Sequence, residues 1–361
     1  MKYMSSNGTS FLLNIRYDGE QNLFILNNQN EEVLYYEPVL KVDTEYETEN
    51  FEIVLFQNDR NDYSENSIYQ VYVPDKEDRK RIGWIFPIQA LESLEHSCAQ
   101  NEFFLKYAYI ALYKLFEIDN TVYEGKYDDR LKLSDLFKMN ETVLVIDKYN
   151  TAEIEGFNFE EYLVSLYSFG YSLTGKGNLF DSCNHVEGNR LNLKRISNQV
   201  QGKDYIVAMF KDLIPNTSDN ISRFYICYQI VEILIAAVFN IEFQEFVNVI
   251  ASLGVEADLF SKKDELLEKT NERTRVRKLV NNYSVIDSYS KAVLKERCDE
   301  FLKLYGACVP DDAASSLYDV RCMLVHRCYM INSEGNELLA QINDIFYSIA
   351  IQMLTSFRKP K

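Results

Sequence analysis

Short runs of apolar and aromatic residues, separated by polar turns, fill the first part of the chain. Each run spans four to seven residues, is rich in Ile, Val, Tyr and Phe, and ends near Asn, Asp or Gly. This pattern is typical of short β-strands in an antiparallel sheet, a sandwich or a partly open barrel. The predicted strands are 11–16, 22–26, 33–36, 51–56, 67–73 and 82–86.

Helical periodicity replaces this pattern after residue 87. A helical stretch is predicted over 88–117, followed by strands at 143–146 and 191–196 with a helix at 159–169 between them. Beyond Lys203 only helical spacing is found. The helices predicted there are 203–213, 219–239, 241–252, 257–280, 285–305, 312–332 and 336–356. We therefore predict an α+β chain, with a mainly antiparallel β-rich domain over 1–200 and an all-α helical bundle over 201–361.

Composition narrows the class of protein. The 361 residues are 47% hydrophobic and 14% aromatic, which is enough to bury sizeable cores and excludes a wholly disordered chain. The longest apolar stretch, 225–239, is interrupted by Gln229 and Glu232 and is shorter than a membrane span requires. No apolar signal-peptide segment precedes the first strand. These features predict a soluble, cytoplasmic protein without a membrane partner.

Cysteine and histidine usage argues against disulfide and metal frameworks. The seven cysteines are odd in number and include no CxxC pair, which predicts reduced thiols in a cytosolic protein. The three histidines lie far apart in the sequence, so no ligand spacing for zinc is found. We expect neither a metal nor another cofactor.

Charge divides along the same boundary as the secondary structure. Residues 201–361 carry 19 basic and 22 acidic side chains, and residues 1–200 carry 19 basic and 33 acidic ones. The net charges are therefore −3 and −14, and the acidic front half disfavours non-specific binding to nucleic acid there. The densest basic cluster of the rear half is Arg273, Arg275, Arg277 and Lys278. It is either a solvated helix face or a surface that contacts RNA.

One segment of the predicted helix 312–332 combines a guanidinium with an imidazole. Arg321 and His326 are five residues apart, which places them about 140° apart around a helix axis. They cannot both reach one small target from a single helix, but a two-fold pairing of such helices would bring two Arg and two His into one cleft. A guanidinium can bind a scissile phosphate, and an imidazole can transfer the proton of a ribose 2′-hydroxyl. This composition suits RNA cleavage without a metal.

The segment with Tyr318, Arg321, Val325 and His326 resembles the Rx4–6H signature of the HEPN superfamily, in the form YxxRxxxVH. It is most similar to the ApeA-like HEPN branch of bacterial defence proteins. That branch tends to have an aromatic-rich early helix, which 223–234 matches. The resemblance covers about residues 203–356 and leaves the front half out.

The resemblance implies a dimeric, metal-independent endoribonuclease that acts in phage defence, as in abortive infection, or as a toxin. Arg321 and His326 would be catalytic, and Glu232 would match an acidic residue that some members place near the motif. The chain departs from many members at Cys322, where they have a polar residue. The candidates for RNA contact are Arg273, Arg275, Arg277, Lys278 and Arg327. A phage-derived or host trigger would act on the front domain.

A second hypothesis belongs to a different class. The rear helices could form a non-catalytic dimerisation or binding module, with Arg321 paired to Asp319 or Glu232 and with a ligand- or protein-recognising front domain. Glu232 is expected to form a salt link to Arg321 under either hypothesis, because a buried acid without a partner is costly. Other segments are set aside as structural: the turn at 174–178, Asp75 with 124–126, and His185 in a polar loop. Trp84 is expected to anchor the front sheet.

Overall fold

The structure is a computed structural model in which the chain forms two compact units. The first comprises 1–158, 170–178 and 185–193, and the second comprises 159–169, 179–184 and 194–361. The second unit thus includes the segment 159–169, which the sequence places in the front half.

The turn at 174–178, residues 124–126, Cys183 and His185 lie outside the described residues. Those described are 2–4, 10–28, 31–42, 44–58, 60, 62–76, 78–118, 122–123, 130–138, 140–173, 184, 186, 188–200, 204–252 and 259–360.

Three sheets are formed by the described strands of the first unit. The strands are β1 (Lys2–Met4), β2 (Ser10–Leu12), β3 (Asn14–Asp18), β4 (Leu23–Asn28), β5 (Glu31–Tyr36), β6 (Phe51–Asn58), β7 (Tyr69–Asp75), β8 (Asp78–Pro87), β9 (Val122–Tyr123), β10 (Glu141–Asp147), β11 (Tyr171–Leu173) and β12 (Arg190–Asn192). Their order in the three sheets is β2-β1-β9, β3-β4-β5 and β11-β6-β10-β8-β7-β12.

The six-stranded sheet is antiparallel except where β12 runs parallel to β7. Its strand β10 pairs with both β6 and β8, and residues 141–146 of it are buried. Gly83 on β8 approaches β10 so closely that a Cβ atom there would lie 1.9 Å from the carbonyl oxygen of Val145. The close pairing of these two central strands therefore requires glycine at position 83.

Helix α1 (Glu102–Glu117) covers this sheet and supplies much of the front core. Asn101 begins it by accepting a hydrogen bond from the amide of Phe104. Trp84 is 2% exposed and packs against Phe104 and Tyr107, with ring centroids 5.8 and 6.0 Å apart. The expectation that Trp84 anchors the front sheet is confirmed. A second helix of this unit, α2 (Lys148–Ala152), follows β10.

Helices are the only regular secondary structure among the described residues of the second unit. After α3 (Glu160–Tyr167) come α4 (Asp204–Ala208), α5 (Asn220–Ser252), α6 (Leu259–Thr270), α7 (Glu272–Lys278), α8 (Ser288–Leu304), α9 (Ala313–Arg327) and α10 (Ser333–Ser356). Single π-helical turns follow α4 at Met209–Leu213 and α7 at Leu279–Tyr283. The molecule is thus mixed α and β, with a β-rich N-terminal region and a helical C-terminal region.

Four predicted helix boundaries are wrong. The predicted stretch 88–117 is a short 3₁₀ helix at Ile88–Glu92 followed by α1, which begins only at Glu102. Helices 219–239 and 241–252 form one continuous α5, because the exposed Asn240 between them does not interrupt the backbone. The predicted helix 257–280 divides at Asn271, whose side chain accepts from the amide of Thr274 and so starts a new helix. Helix α9 ends at Arg327 rather than at 332, and a short 3₁₀ turn, Cys328–Met330, follows it.

Helix α5 is the one described helix that is long and apolar enough to cross a membrane by length and composition. In its most apolar stretch 44% of the residues are buried inside the protein. Phe224 and Tyr228 of α5 pack against Phe346 of α10, with ring centroids 5.4 and 6.4 Å apart. Because a core helix passes the same test, the length of α5 is a weak indication of a membrane span.

Candidate functional site

Helix α9 has one apolar side, which is buried, and another side with residues of the predicted site. Asp312 begins the helix by accepting hydrogen bonds from the amide and the hydroxyl of Ser315. Leu317, Val320 and Leu324 are fully buried, as the predicted apolar stripe requires. Tyr318, Arg321 and Cys322 lie three and four residues apart and therefore share another side. Ile331, the last residue of the predicted stripe, lies beyond the end of the helix.

Arg321 lies at the junction of α5, α7 and α9. Its guanidinium donates to Oε1 of Glu232 on α5 at 3.3 Å, and it lies 3.7 Å from Oε1 of Glu272 on α7. Beneath it is the ring of Tyr228, with 5.5 Å between the guanidinium carbon and the ring centroid. The salt link predicted between Glu232 and Arg321 is present, whereas the alternative partner Asp319 pairs with Arg273 instead.

Two carboxylates and a ring hold this guanidinium in its charged form. Burial alone would lower the pKa of Arg321, but Glu272 and the hydrogen bond to Glu232 outweigh burial, so the pKa is raised. The side chain of Arg321 is 22% exposed and remains accessible from one side. A phosphate that approached Arg321 would therefore compete with Glu232, which is 50% exposed and free to move aside.

Glu272 and Tyr228 complete the junction, and the sequence analysis missed both. Glu272 is the first residue of α7, and its Oε1 is buried without a hydrogen bond. The hydroxyl of Tyr228 is likewise buried without a hydrogen bond, and burial followed by the charge of Glu272 raises its pKa far above the usual value. Glu272 directly follows the capping residue Asn271, and an acid in this position is typical of the first turn of a helix. Nothing in the sequence indicates that this start faces Arg321.

His326 occupies a different setting at the C-terminal end of α9. It is exposed, and the described residues offer it neither a hydrogen bond nor an ion pair. Its neighbours Val325, Tyr329 and Met330 are 44%, 83% and 43% exposed. Arg327 and Cys328 are exposed as well. The structure thus separates Arg321 and His326 along one helix, as their spacing predicts, and the exposed apolar side chains of Val325, Tyr329 and Met330 lie close to His326 in the sequence.

Cys322 lies between these two settings. Its side chain is half-buried and is a free thiol. Tyr318 lies one turn earlier on the helix, and burial followed by the nearby Cys322 thiol raises the pKa of its hydroxyl. The position that is polar in many HEPN proteins here holds a thiol in contact with a tyrosine.

The basic side chains of α7 contact carboxylates and aromatic rings. Arg273 pairs with Asp319 and lies 5.1 Å from the ring of Tyr318. Arg277 and Lys278 pair with Asp312 and Glu242 at 3.4 and 2.8 Å. Arg275 lies 5.7 Å from the ring of Phe239. These pairs connect α7 to α5 and α9, and an RNA-binding role for the cluster stays a prediction.

A cavity of about 640 Å³ borders the junction on the other side of Glu232. Its lining includes Tyr205, Met209, Leu213 and Ile233 beside Glu232, so it is mostly apolar. Among the described residues no group of three or more His, Cys, Asp or Glu side chains is arranged to hold a metal ion. The six described cysteines are free thiols.

No family model, no curated protein and no solved structure matches this chain. Its function therefore has to be argued from the chemistry of its own residues.

Proposed function

We propose that the protein is a metal-independent endoribonuclease whose site forms when the helical units of two chains pair. The observation that carries the proposal is the contrast along α9. Arg321 is held charged at a helix junction, and five residues later His326 is exposed, with no hydrogen bond or ion pair to any described residue. A second copy that covered Val325, Tyr329 and Met330 would remove apolar surface from water. It would also bring a second Arg321 and a second His326 into the same cleft.

The residues supply the groups that transesterification of RNA requires. The Arg321 guanidinium would bind two oxygens of the scissile phosphate and offset the charge that develops on them. The His326 imidazole would take the proton of the ribose 2′-hydroxyl, whose oxygen then attacks the phosphorus. The bond to the 5′-oxygen breaks, and that oxygen receives a proton from an imidazolium. The products are a 2′,3′-cyclic phosphate and a 5′-hydroxyl.

Glu232 and Glu272 would set the resting state of this site. Each carboxylate draws the Arg321 guanidinium away from solvent, so RNA binding requires at least Glu232 to release it. The low affinity of an exposed ion pair, worth about 1 kcal/mol or less, makes such a release feasible. Such an enzyme would act in the cytoplasm, in phage defence or as a toxin, with a trigger acting through the β-rich unit.

The second candidate is a HEPN-like dimerisation or binding module without catalysis. It is favoured by the pairing of Arg321 with two carboxylates, which is what a purely structural arginine would show.

RNA cleavage by the purified chain in EDTA separates the two candidates. Arg321→Ala and His326→Ala are each expected to reduce the rate by about 100-fold or more, as general acid–base and electrostatic groups do. Arg297→Ala is the matched control, because Arg297 pairs with Glu300 on α8 outside the site. Equal cleavage by all four proteins would contradict the nuclease. Growth arrest on expression, tested with the same variants, extends the comparison to cells.

A further inference from the structure

A row of charged and aromatic side chains crosses one end of the six-stranded sheet. Arg81 of β8 donates to Oε1 of Gln70 on β7 at 3.3 Å, and the hydroxyl of Tyr72 donates to the same oxygen at 3.1 Å. The guanidinium carbon of Arg190 on β12 lies 5.1 Å from the centroid of the Tyr72 ring. That of Arg81 lies 5.9 Å from the centroid of Phe103 at the start of α1. We call these five residues the arginine–aromatic row.

Strand register explains why these side chains meet. The pairing of β7 with β8 shifts between Val71 and Tyr72, so that Tyr72 faces Arg81 and Ile82 is skipped. The parallel pairing of β7 with β12 places Arg190 opposite Gln70. Without the shift, Tyr72 would lie opposite Ile82 and the row would be broken. The irregularity thus places the polar and aromatic groups of three strands on one face.

The arginines of the row differ from other cations of the same unit. Arg60, Lys80, Lys114 and Arg130 pair with the carboxylates of Asp62, Glu153, Glu117 and Glu37. By contrast, Arg81, Arg190 and the nearby exposed Arg79 have no carboxylate partner among the described residues. The most acidic part of the chain therefore displays three arginines whose charges are not offset by ion pairs with any residue that the structure describes.

We propose that this row is a binding site for single-stranded nucleic acid, separate from the site on α9. Guanidinium groups bind phosphate oxygens through two hydrogen bonds. Adjacent strands are about 4.8 Å apart, so Arg81 and Arg190 project from strands about 10 Å apart, and each guanidinium can bind its own phosphate. Phe103 is 65% exposed and presents a ring on which a base can stack. Such stacking is tolerant of sequence, so the site selects single strands rather than particular bases.

Binding of a labelled DNA oligonucleotide to the full chain, followed by fluorescence anisotropy, tests this proposal. DNA lacks the 2′-hydroxyl, so the result does not depend on the proposed nuclease. Phe103→Ala is expected to weaken binding about ten-fold, in the range measured for base–aromatic stacking. Arg81→Ala with Arg190→Ala is expected to weaken it further. Because this double variant loses two phosphate contacts, it should also reduce the slope of the logarithm of the binding constant against the logarithm of the salt concentration by about 1.4.

The control is the double variant Lys114→Ala with Arg130→Ala, which removes two paired cations from the same unit. It should bind nearly as the parent does, and circular dichroism verifies that every variant is folded. Phe103 is exposed, so its replacement leaves the core intact. Three results would overturn the proposal. They are a parent that does not bind DNA, row variants that bind DNA as the control does, and row variants that lose binding to an acidic peptide but keep their binding to DNA.

Discussion

Arginines lie over aromatic rings in both units, but their electrostatic surroundings are opposite. In the helical unit Arg321 lies over Tyr228 and is drawn to two carboxylates, Glu232 and Glu272. In the β-rich unit Arg190 lies over Tyr72, and no carboxylate approaches it among the described residues. Carboxylates therefore compensate Arg321 in the near-neutral half, whereas Arg190 in the acidic half has no ion pair with a described residue. Net charge summed over a region does not reveal where an anion can bind.

The consequence for function is a division of roles. A compensated arginine at a helix junction is fixed in place and becomes available when its carboxylates release it, which suits a regulated catalytic site. An uncompensated arginine on a sheet surface is available at all times, which suits capture of a strand. Each of the following changes tests one side of this comparison.

The largest effect is expected from Gly83→Ala. A Cβ atom at this position would lie 1.9 Å from the backbone oxygen of Val145, so β8 and β10 would have to separate. We expect the β-rich unit to lose about 3 kcal/mol or more. Trp84 is the single tryptophan and lies in this unit, so its fluorescence in a urea titration measures the loss. Gly19→Ala is the control, since its Cβ would meet Tyr17 at an ordinary 3.6 Å. Equal midpoints for the two variants would contradict the close approach.

An intermediate effect separates the two kinds of arginine. Arg321→Ala should reduce the stability of the helical unit by about 1–3 kcal/mol, because it leaves the buried oxygen of Glu272 without a counterion. Arg81→Ala should reduce that of the β-rich unit by less than about 1 kcal/mol, the usual value of an exposed cation–π contact. Urea unfolding followed by circular dichroism for the first and by Trp84 fluorescence for the second gives both values. The reverse order of losses would contradict the comparison.

A smaller effect is expected from acid. Burial raises the pKa of Asp287 at the start of α8, but hydrogen bonds from Ser290 and Gln352 outweigh burial, so the pKa is lowered. A lowered pKa in the folded protein means that its contribution to stability is complete above about pH 4 and is lost as the pH falls through the folded-state value. Asp287→Asn retains a capping side chain but does not titrate. Its thermal midpoint should fall less between pH 5 and about pH 3 than that of the parent, and parallel curves would count against this.

Local patterns in the sequence predicted much of the fold. Predicted strand positions overlap β2 to β8, β10 and β12, because short apolar runs between turn residues are typical of strands. The strand predicted at 11–16 is divided between β2 and β3, which belong to different sheets, and the one predicted at 191–196 ends at Asn192. Helix ends were predicted less well, since they depend on single capping residues such as Asn271. The strand order of the six-stranded sheet could not be predicted, because it brings together strands that are distant in the sequence, such as β6, β10 and β8.

The candidate site shows the same limit. Arg321 and His326 follow from motif spacing. The pairing of Glu232 with Arg321 was predicted from the cost of a buried acid, but the side chain of Glu232 is 50% exposed, so the pair is present for a different reason. Glu272 and Tyr228 reach Arg321 only through the packing of three helices, so no local pattern indicates them. The arginine–aromatic row depends on a register shift between β7 and β8 and was likewise not foreseen.

Cleavage of a DNA strand that contains one ribonucleotide, in EDTA, tests the central claim most directly. The account predicts that the wild-type chain cuts only at the ribose and leaves a 2′,3′-cyclic phosphate. A 2′-O-methyl group at that ribose should abolish the cut, and His326→Ala should slow it about 100-fold or more. Cleavage of the methylated strand, or cleavage by His326→Ala at the wild-type rate, would contradict the account, as would a wild-type chain that cuts none of the strands.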